Sequence, residues 1–244
     1  MKRIGLLAAA TLLSTGAMAQ SQGDWIVRAG LGVVAPQGDS DSLIFEGIDL
    51  GADYQIDVDD GYAAVINATY MASDHIGIEL LAATPFKHDI EGDGAALGPA
   101  GKLGDVKHLP PVLSLQYHFN PNATFRPYAG IGLNYTFLFD ENGNDTLHQG
   151  IIGTSNDALN TDYVGGSTDL SIDDSFGIAL QLGADVQLTD ALFLNFDLRW
   201  IDIEADAELR TVTETGAGIE TILNSRIKAD IDPIVFSTTL GMRF

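Results

Sequence analysis

Histidines are the side chains of this 244-residue chain whose type is best suited to acid–base catalysis or metal binding. Catalysis requires a histidine near a partner group, and a zinc site requires three or four ligands. The alternation pattern assigns His88 and His108 to opposite faces of their segments, so they do not form a catalytic pair. His75 and His118 share a face, but no cysteine, third histidine or fitting carboxylate cluster accompanies them. The sequence therefore predicts no enzyme, no metal site and no cofactor.

The first 19 residues have the organisation of a secretory signal peptide. A basic start precedes an apolar run over residues 4–13, and the small-residue motif Ala17–Ala19 follows. The apolar run is shorter than the ~20 residues that a membrane-spanning helix needs. The absence of cysteine excludes lipoprotein anchoring through that residue. We predict a signal peptide at residues 1–19 and a single exported domain at residues 20–244.

Eight segments of the exported part have an apolar or uncharged residue at every second position. Such period-2 alternation predicts extended strands with one apolar face. None of these stripes carries a charged residue, as lipid demands, because an arginine at the bilayer midplane costs about 2–4 kcal/mol. Aromatic residues near both strand ends indicate two interfacial girdles, with Phe86 in the outer one. The stripes cover residues 25–33, 62–70, 76–86, 109–119, 125–139, 176–188, 192–200 and 234–244.

The connections between these segments alternate between short and long. Strands in lipid must pair every backbone donor, so they close into a barrel, and outer-membrane barrels have short periplasmic turns and long external loops. We therefore predict an all-β, eight-stranded antiparallel transmembrane β-barrel with long extracellular loops and both termini in the periplasm. The long connections cover residues 35–60, 87–105, 140–174 and 201–232.

The faces opposite the stripes carry charges of both signs. An eight-stranded barrel has an interior just wide enough to fill with side chains, so inward charges predict a polar plug instead of a wide aqueous pore. A proton or ion pathway is the alternative interpretation of the same residues. The inward charged residues are Arg28, Glu79, Arg126, Asp185, Asp197, Arg199 and Arg243.

Acidic residues give the chain a formal net charge of −22, and 28 of the 34 lie in the four long connections. A surface this acidic disfavours nucleic-acid binding. We interpret the connections as solvated, mobile loops; divalent-ion bridging to anionic lipopolysaccharide or to partners is the alternative. The run Asp140–Asp145 is similar to a calcium loop, but Ile151 stands where that loop needs its bidentate glutamate.

Several motifs together resemble the OmpW family of outer-membrane proteins. They are Ala83–His88, Val106–Pro111, Phe125–Thr136, Asp174–Gly177 and the ending Asp232–Phe244. The resemblance implies a bacterial outer-membrane barrel that takes up small hydrophobic molecules passively. It also implies insertion by the barrel assembly machinery, which reads a C-terminal aromatic, here Phe244. It further suggests that Leu81 and Arg199 lie near the closed floor of a pocket.

Three prolines suggest how a hydrophobic solute leaves a plugged barrel. Pro85 ends the third stripe, and Pro110 and Pro111 begin the fourth, so antiparallel pairing brings them together at the outer end. Each proline lacks an amide donor, which interrupts the ladder. Our hypothesis is a lateral opening there, reached past Leu81, Val112 and Leu138. The alternative is a simple end to strand pairing above the membrane.

A structural or recognition barrel is the competing functional hypothesis. In that interpretation the acidic loops bind lipopolysaccharide, phage, bacteriocin or host partners.

Overall fold

The computed structural model describes residues 20–244, so the predicted signal peptide at residues 1–19 lies outside the described residues. In chain order the elements are β1 (Trp25–Ala35), β2 (Ile44–Phe45), β3 (Ile48–Asp49), β4 (Gln55–Val58), β5 (Gly61–Met71), β6 (Ile76–Ala83), β7 (Phe86–Asp93), α1 (Gly94–Leu97), a 3-10 turn (Gly98–Ala100), β8 (Lys102–Leu109), β9 (Val112–His118), β10 (Phe125–Gly143), α2 (Asp145–Leu159), β11 (Tyr163–Ile172), β12 (Ser175–Gln187), β13 (Leu192–Ile201), β14 (Glu204–Thr215), β15 (Glu220–Asp230) and β16 (Ile234–Arg243).

Eight of these strands form a closed antiparallel barrel: β1, β5, β6, β9, β10, β12, β13 and β16. Each strand pairs with the barrel strand that follows it in the chain. The barrel closes where β16 pairs with β1, from Ile26↔Arg243 to Ala35↔Ile234. The eight alternating segments of the sequence correspond to these eight strands, and the predicted eight-stranded antiparallel barrel is confirmed.

The two ends of the barrel differ in their connections. The β5–β6, β9–β10 and β12–β13 turns are short and share one end, termed the short-turn end. Phe244 also lies there, because its backbone N–H donates to the Trp25 carbonyl at 2.8 Å and its carbonyl accepts from the Trp25 N–H at 3.0 Å. The longer connections emerge at the opposite end, termed the long-loop end.

An apolar belt surrounds the barrel, as the uncharged stripes predicted. Aliphatic residues such as Leu31 and Leu133 point outward. Phe86, however, is only 2% exposed, so its assignment to the outer girdle is wrong. The alternation shifts at Thr84 and Pro85, which are both exposed, and this shift turns Phe86 inward. Exposed aromatics include Trp25, Tyr70, Tyr117, Phe119, Phe125 and Phe244 at the short-turn end and Tyr62, Tyr135, Phe137 and Phe176 at the other.

The long connections are folded, although the sequence indicated mobile loops. β7 and β8 form a hairpin between β4 and the distal part of β10, and β11, β14, β15, β2 and β3 form a second sheet. We term this sheet, β4, β7, β8, α1 and α2 together the extension. Along β14, Ala207 and Leu209 are buried while Glu208 and Arg210 are exposed. A strand of this type covers a core with one face and meets water with the other.

α2 begins inside a segment that the sequence indicated as loop. The side chain of Asn144 accepts a hydrogen bond from the Leu147 N–H at 3.0 Å, which caps the helix. The acidic run 140–145 is therefore divided between β10 and α2. Among the described residues, no helix has the length and apolar content needed to cross a membrane.

We predict that Phe244→Ala lowers the amount of folded protein in the outer membrane several-fold but changes the stability of the refolded barrel little. The ring is 69% exposed, so its removal costs few internal contacts, whereas an assembly signal requires the aromatic itself. The measurements are outer-membrane abundance and thermal unfolding in detergent. Phe119→Ala is the matched control, because Phe119 is also an exposed aromatic at this end. Equal abundance of Phe244→Ala and the parent would contradict the assignment.

Candidate functional site

Side chains fill the barrel interior in three layers. Nearest the short-turn end, Ile26, Met71 and Phe193 form the lower apolar layer. Charged and polar side chains form the ionic layer in the middle. Nearest the long-loop end is the upper apolar layer, which contains two residues predicted from the sequence, Leu81 and Val112. A straight path through the barrel therefore meets apolar, ionic and apolar side chains in turn.

The ionic layer is one connected network of buried charges. Arg28 pairs with Asp185 at 2.9 Å and with Glu79 at 3.4 Å. Arg199 pairs with Glu79 at 2.8 Å and with Asp197 at 3.4 Å. Glu79 thus joins the two arginines, and its side chain is 0% exposed. These contacts form the polar plug that the inward charges predicted.

Neutral polar groups add hydrogen bonds to the carboxylates of this plug. The Tyr128 hydroxyl donates to Asp197 at 2.8 Å, and Gln181 Nε2 donates to Glu79 at 3.0 Å. Asn195 Nδ2 donates to Asp185 at 2.8 Å and to the Tyr128 hydroxyl at 2.9 Å. A buried charge is tolerated when its remaining lone pairs and protons are satisfied in this way. The plug is therefore built to hold its geometry.

The remaining inward arginines lie outside this network, towards the short-turn end. Arg126 stacks on the Phe193 ring, with 5.3 Å between its guanidinium carbon and the ring centre. Arg243 lies 3.7 Å from Asp24, between Nε and a carboxylate oxygen. The plug that blocks the middle of the barrel therefore depends on Arg28 and Arg199.

A cavity lies beyond the upper apolar layer, where the extension meets the barrel. Its lining includes Leu138, which was predicted from the sequence, and contains no Asp, Glu, Lys or Arg. The space open to the centre of a water-sized sphere is about 90 Å³, several times the ~10–15 Å³ that one water molecule needs. Other lining residues are Leu43, Ile56, Ile90, Val106, Leu147 and Ile227.

His88 and His108 both face this cavity, so their assignment to opposite faces is wrong. The shift in alternation at Pro85 turns His88 inward together with Phe86. The His88 and His108 rings stack with centres 4.7 Å apart, and Phe86 stacks on the other face of His108 at 5.3 Å. The alternation pattern did not predict this cluster, because the prediction continued a single inward–outward alternation through Pro85.

Both histidines lie on extension strands beyond the apolar belt, and burial keeps both neutral. Burial lowers the pKa of His88, although its hydrogen bond to the Asp59 carbonyl opposes the shift. Burial lowers the pKa of His108 to about 3, and repulsion from the protonated form of the neighbouring His88 adds to this shift. At neutral pH the cavity is therefore free of charge.

The strand ladder is interrupted beside the cavity. The last pair between β6 and β9 is Leu81↔Val112, and the first pair between β7 and β8 is Phe86↔His108. Residues 82–85 on one side and 109–111 on the other have no registered partner across this interval, which we term the ladder gap. Pro85 in it is exposed, Pro110 buried and Pro111 partly buried. The three prolines thus lie on the two sides of the ladder gap.

Arg199, predicted to lie near a pocket floor, belongs to the ionic layer. Two residues along β13, Ile201 is part of the upper apolar layer. Arg199 Nε and Nη1 make no hydrogen bond within the described residues. The guanidinium therefore lies beneath the apolar layer and not in the cavity itself.

The other histidine pair is at the short-turn end. His75 is exposed, stacks on Tyr117 with ring centres 5.6 Å apart, and contacts the His118 carbonyl through Nδ1 at 2.7 Å. His118 is buried. Within residues 20–244, no group of three or more His, Cys, Asp or Glu side chains is arranged to hold a metal ion.

A closed eight-stranded barrel with an apolar outer belt and a plugged, charged interior is an outer-membrane β-barrel protein. A model of the OmpW family matches residues 21–244. The chain belongs to the OmpW family, and this family and the fold together support an outer-membrane location.

Named relatives agree with this membership. Outer membrane protein W of Vibrio cholerae serotype O1 is 43% identical over 143 residues, which are 58% of this chain and 63% of that protein. Outer membrane protein W of Escherichia coli K12 is 40% identical over 143 residues, 58% of this chain and 62% of that protein. The chain thus matches less than two thirds of these relatives' lengths. The crystal structure of OprG from Pseudomonas aeruginosa superposes with a TM-score of 0.75 at 29% identity, covering 93% of this chain and 98% of OprG.

Glu79→Gln should destabilise the barrel by about 3–5 kcal/mol, because it leaves Arg28 and Arg199 buried with too little negative charge. The matched control is Glu204→Gln, which removes an exposed ion pair with Lys228 and should cost at most about 1 kcal/mol. Urea unfolding of both variants in lipid provides the comparison. If Glu79→Gln and Glu204→Gln lowered the free energy of unfolding equally, the ionic layer would contribute no more than an exposed ion pair.

Acidification below about pH 6.5 should weaken the extension. An unfolded histidine takes up a proton near its ordinary pKa, whereas folded His108 stays neutral down to about pH 3, so its contribution is complete above pH ~6.5 and falls as pH decreases. The useful window is about pH 6.5 to 5, in which most carboxylates remain ionised. The measurement is hydrogen-exchange protection of β7 and β8, corrected for intrinsic rates. His108→Phe should reduce the loss of exchange protection between pH 6.5 and 5. An equal loss in the parent and the variant would refute a role for His108.

Proposed function

We propose that this protein mediates passive uptake of small hydrophobic molecules across the outer membrane. A solute binds in the apolar cavity beneath the extension and leaves sideways through the ladder gap into the bilayer. The short-turn end and both termini face the periplasm, and the acidic extension faces outward. The observation that carries the proposal is the position of the ladder gap beside a cavity without charged residues.

The cavity supports a hydrophobic solute through its composition. Most lining residues are aliphatic, and the polar side chains are limited to His88, His108, Thr136 and Thr154. Thr136 already accepts a hydrogen bond from Asn134 at 2.8 Å. Desolvating an ion here would be unfavourable because no opposite charge is present, whereas apolar surface gains about 25 cal/mol per Å² on burial. The cavity therefore selects against charged solutes.

The ionic layer supports a sideways route by blocking the straight one. Arg28, Glu79 and Arg199 have fully buried side chains that contact one another across the barrel. A hydrophobic molecule passing between them would break buried ion pairs, each worth about 3–5 kcal/mol when one partner is lost. The lower apolar layer closes the same path a second time.

The ladder gap supports an exit because its composition lowers the cost of unpaired backbone. An unsatisfied donor in lipid costs several kcal/mol, but Pro85, Pro110 and Pro111 have no donor to leave unsatisfied. The gap strands keep partners on their outer sides: Thr84 N–H donates to the Ala64 carbonyl at 2.8 Å, and Leu109 pairs with Phe137. Leu81 and Val112 lie at the lower edge of the gap, within the upper apolar layer.

Recognition of outside partners is a second candidate function. Its support is the folded extension, which presents many of the 28 acidic residues of the long connections on an ordered surface. Lipopolysaccharide bridged by divalent cations, phage, bacteriocin or host partners suit such a surface. Removal of the extension's outermost turn that abolished partner binding but preserved solute uptake would favour this function.

A disulfide across the ladder gap tests the uptake route. Ala82→Cys with Pro111→Cys continues the register beyond Leu81↔Val112 and should reduce hydrophobic uptake into proteoliposomes at least several-fold when oxidised. The measurement is uptake of matched hydrophobic and hydrophilic probes before and after reduction. Leu80→Cys with Leu113→Cys is the control, since these residues are already paired and its disulfide should change nothing. Undiminished uptake with the gap disulfide formed would refute the lateral route.

A further inference from the structure

The cavity contains two buried nitrogen atoms that the described structure leaves without partners. Nε2 of His88 and Nε2 of His108 make no hydrogen bond, although the residues are only 2% and 6% exposed. Both side chains line the cavity. A buried polar atom without a partner is unfavourable by itself, so a ligand that satisfies these atoms gains binding energy.

The hydrogen bonding of His88 defines the chemistry that it offers. Its Nδ1 donates to the Asp59 carbonyl at 2.5 Å, so in the neutral ring Nε2 carries the lone pair and is an acceptor. The stack of Phe86, His108 and His88 holds the ring orientation. The cavity wall therefore presents a preorganised acceptor.

A glycine packs against the edge of this ring. Gly61, at the start of β5, faces His88, and an added Cβ would stand 2.5 Å from Cε1 and 2.6 Å from Nε2. Any larger residue at position 61 would displace the ring or cover its nitrogen. The packing therefore leaves space for the His88 ring but none for a side chain at position 61.

We propose that His88 and His108 form a hydrogen-bonding site for an apolar molecule that carries one hydroxyl group, an alcohol or a phenol. A hydroxyl donates its one proton to Nε2 of His88, and its oxygen accepts from Nε2–H of His108 when that ring carries its proton on Nε2. The aliphatic lining covers the rest of the molecule. A carboxylate does not fit, since it offers no proton to His88 and would find no cation in the lining. This inference rests on the proposed uptake function and specifies its substrate class.

The test compares p-cresol with p-xylene, two molecules of similar shape that differ by a hydroxyl in place of a methyl. Protein labelled with ¹⁵N-histidine in lipid nanodiscs is titrated with each. We expect p-cresol to move the Nε2 resonance of His88 upfield, as for an acceptor that gains a hydrogen bond, and p-xylene to leave it in place. The parent protein alone gives this readout.

Variants then measure the preference. His88→Phe keeps a ring in the stack and should reduce the affinity ratio of p-cresol to p-xylene by about two- to tenfold, the range for one neutral hydrogen bond. His75→Phe, at the short-turn end, is the control and should preserve the ratio. The inference is overturned if both molecules move the resonance equally, or if the ratio persists in His88→Phe and His108→Phe. A p-cresol shift combined with unchanged uptake in the gap disulfide supports the site and rejects the lateral route instead.

Discussion

The requirement that backbone groups be paired inside lipid governs this structure. An amide or carbonyl without a partner costs several kcal/mol there, so eight strands close on one another and β16 returns to β1. The ladder gap departs from this requirement, because it interrupts strand pairing at the edge of the apolar belt. Its three prolines have no amide hydrogen to leave unpaired, so the interruption costs less than it would elsewhere in the wall.

The interior imposes the second constraint. Arg28 and Arg199 share Glu79, so no member of the ionic layer can move without stranding another buried charge. The same contacts therefore close the barrel and make the loss of any one partner costly. In the route that we propose, a cavity above a closed floor, bounded by an interrupted wall, directs a hydrophobic solute towards the lipid. Because His88 and His108 are neutral, the cavity carries no charge, but the two rings still offer hydrogen-bonding nitrogens.

The sequence predicted the eight barrel strands because lipid leaves a simple signature, an uncharged stripe with period 2. That criterion did not identify the strands of the extension. Its strands bury small apolar residues such as Ala207 and expose charged ones such as Glu208, so their charged face belongs to water. The histidine cluster was missed for another reason: the phase of the alternation shifts at Pro85, and nothing in the periodicity before it announces the shift. Inward charges were identifiable, but their partners depend on the register of distant strands.

The proposed lateral route requires that solute leave the barrel above the ionic layer. A small hydrophobic probe bearing a photoreactive diazirine, trapped by illumination during uptake into proteoliposomes, tests it directly when the labelled residues are identified by mass spectrometry. Exit above the ionic layer predicts labelling of the inward-facing Leu81 and Val112 and none of Ile26, Met71 or Phe193 beneath the plug. Labelling of that lower apolar layer would show that solute passes straight through the barrel and would rule out the lateral route.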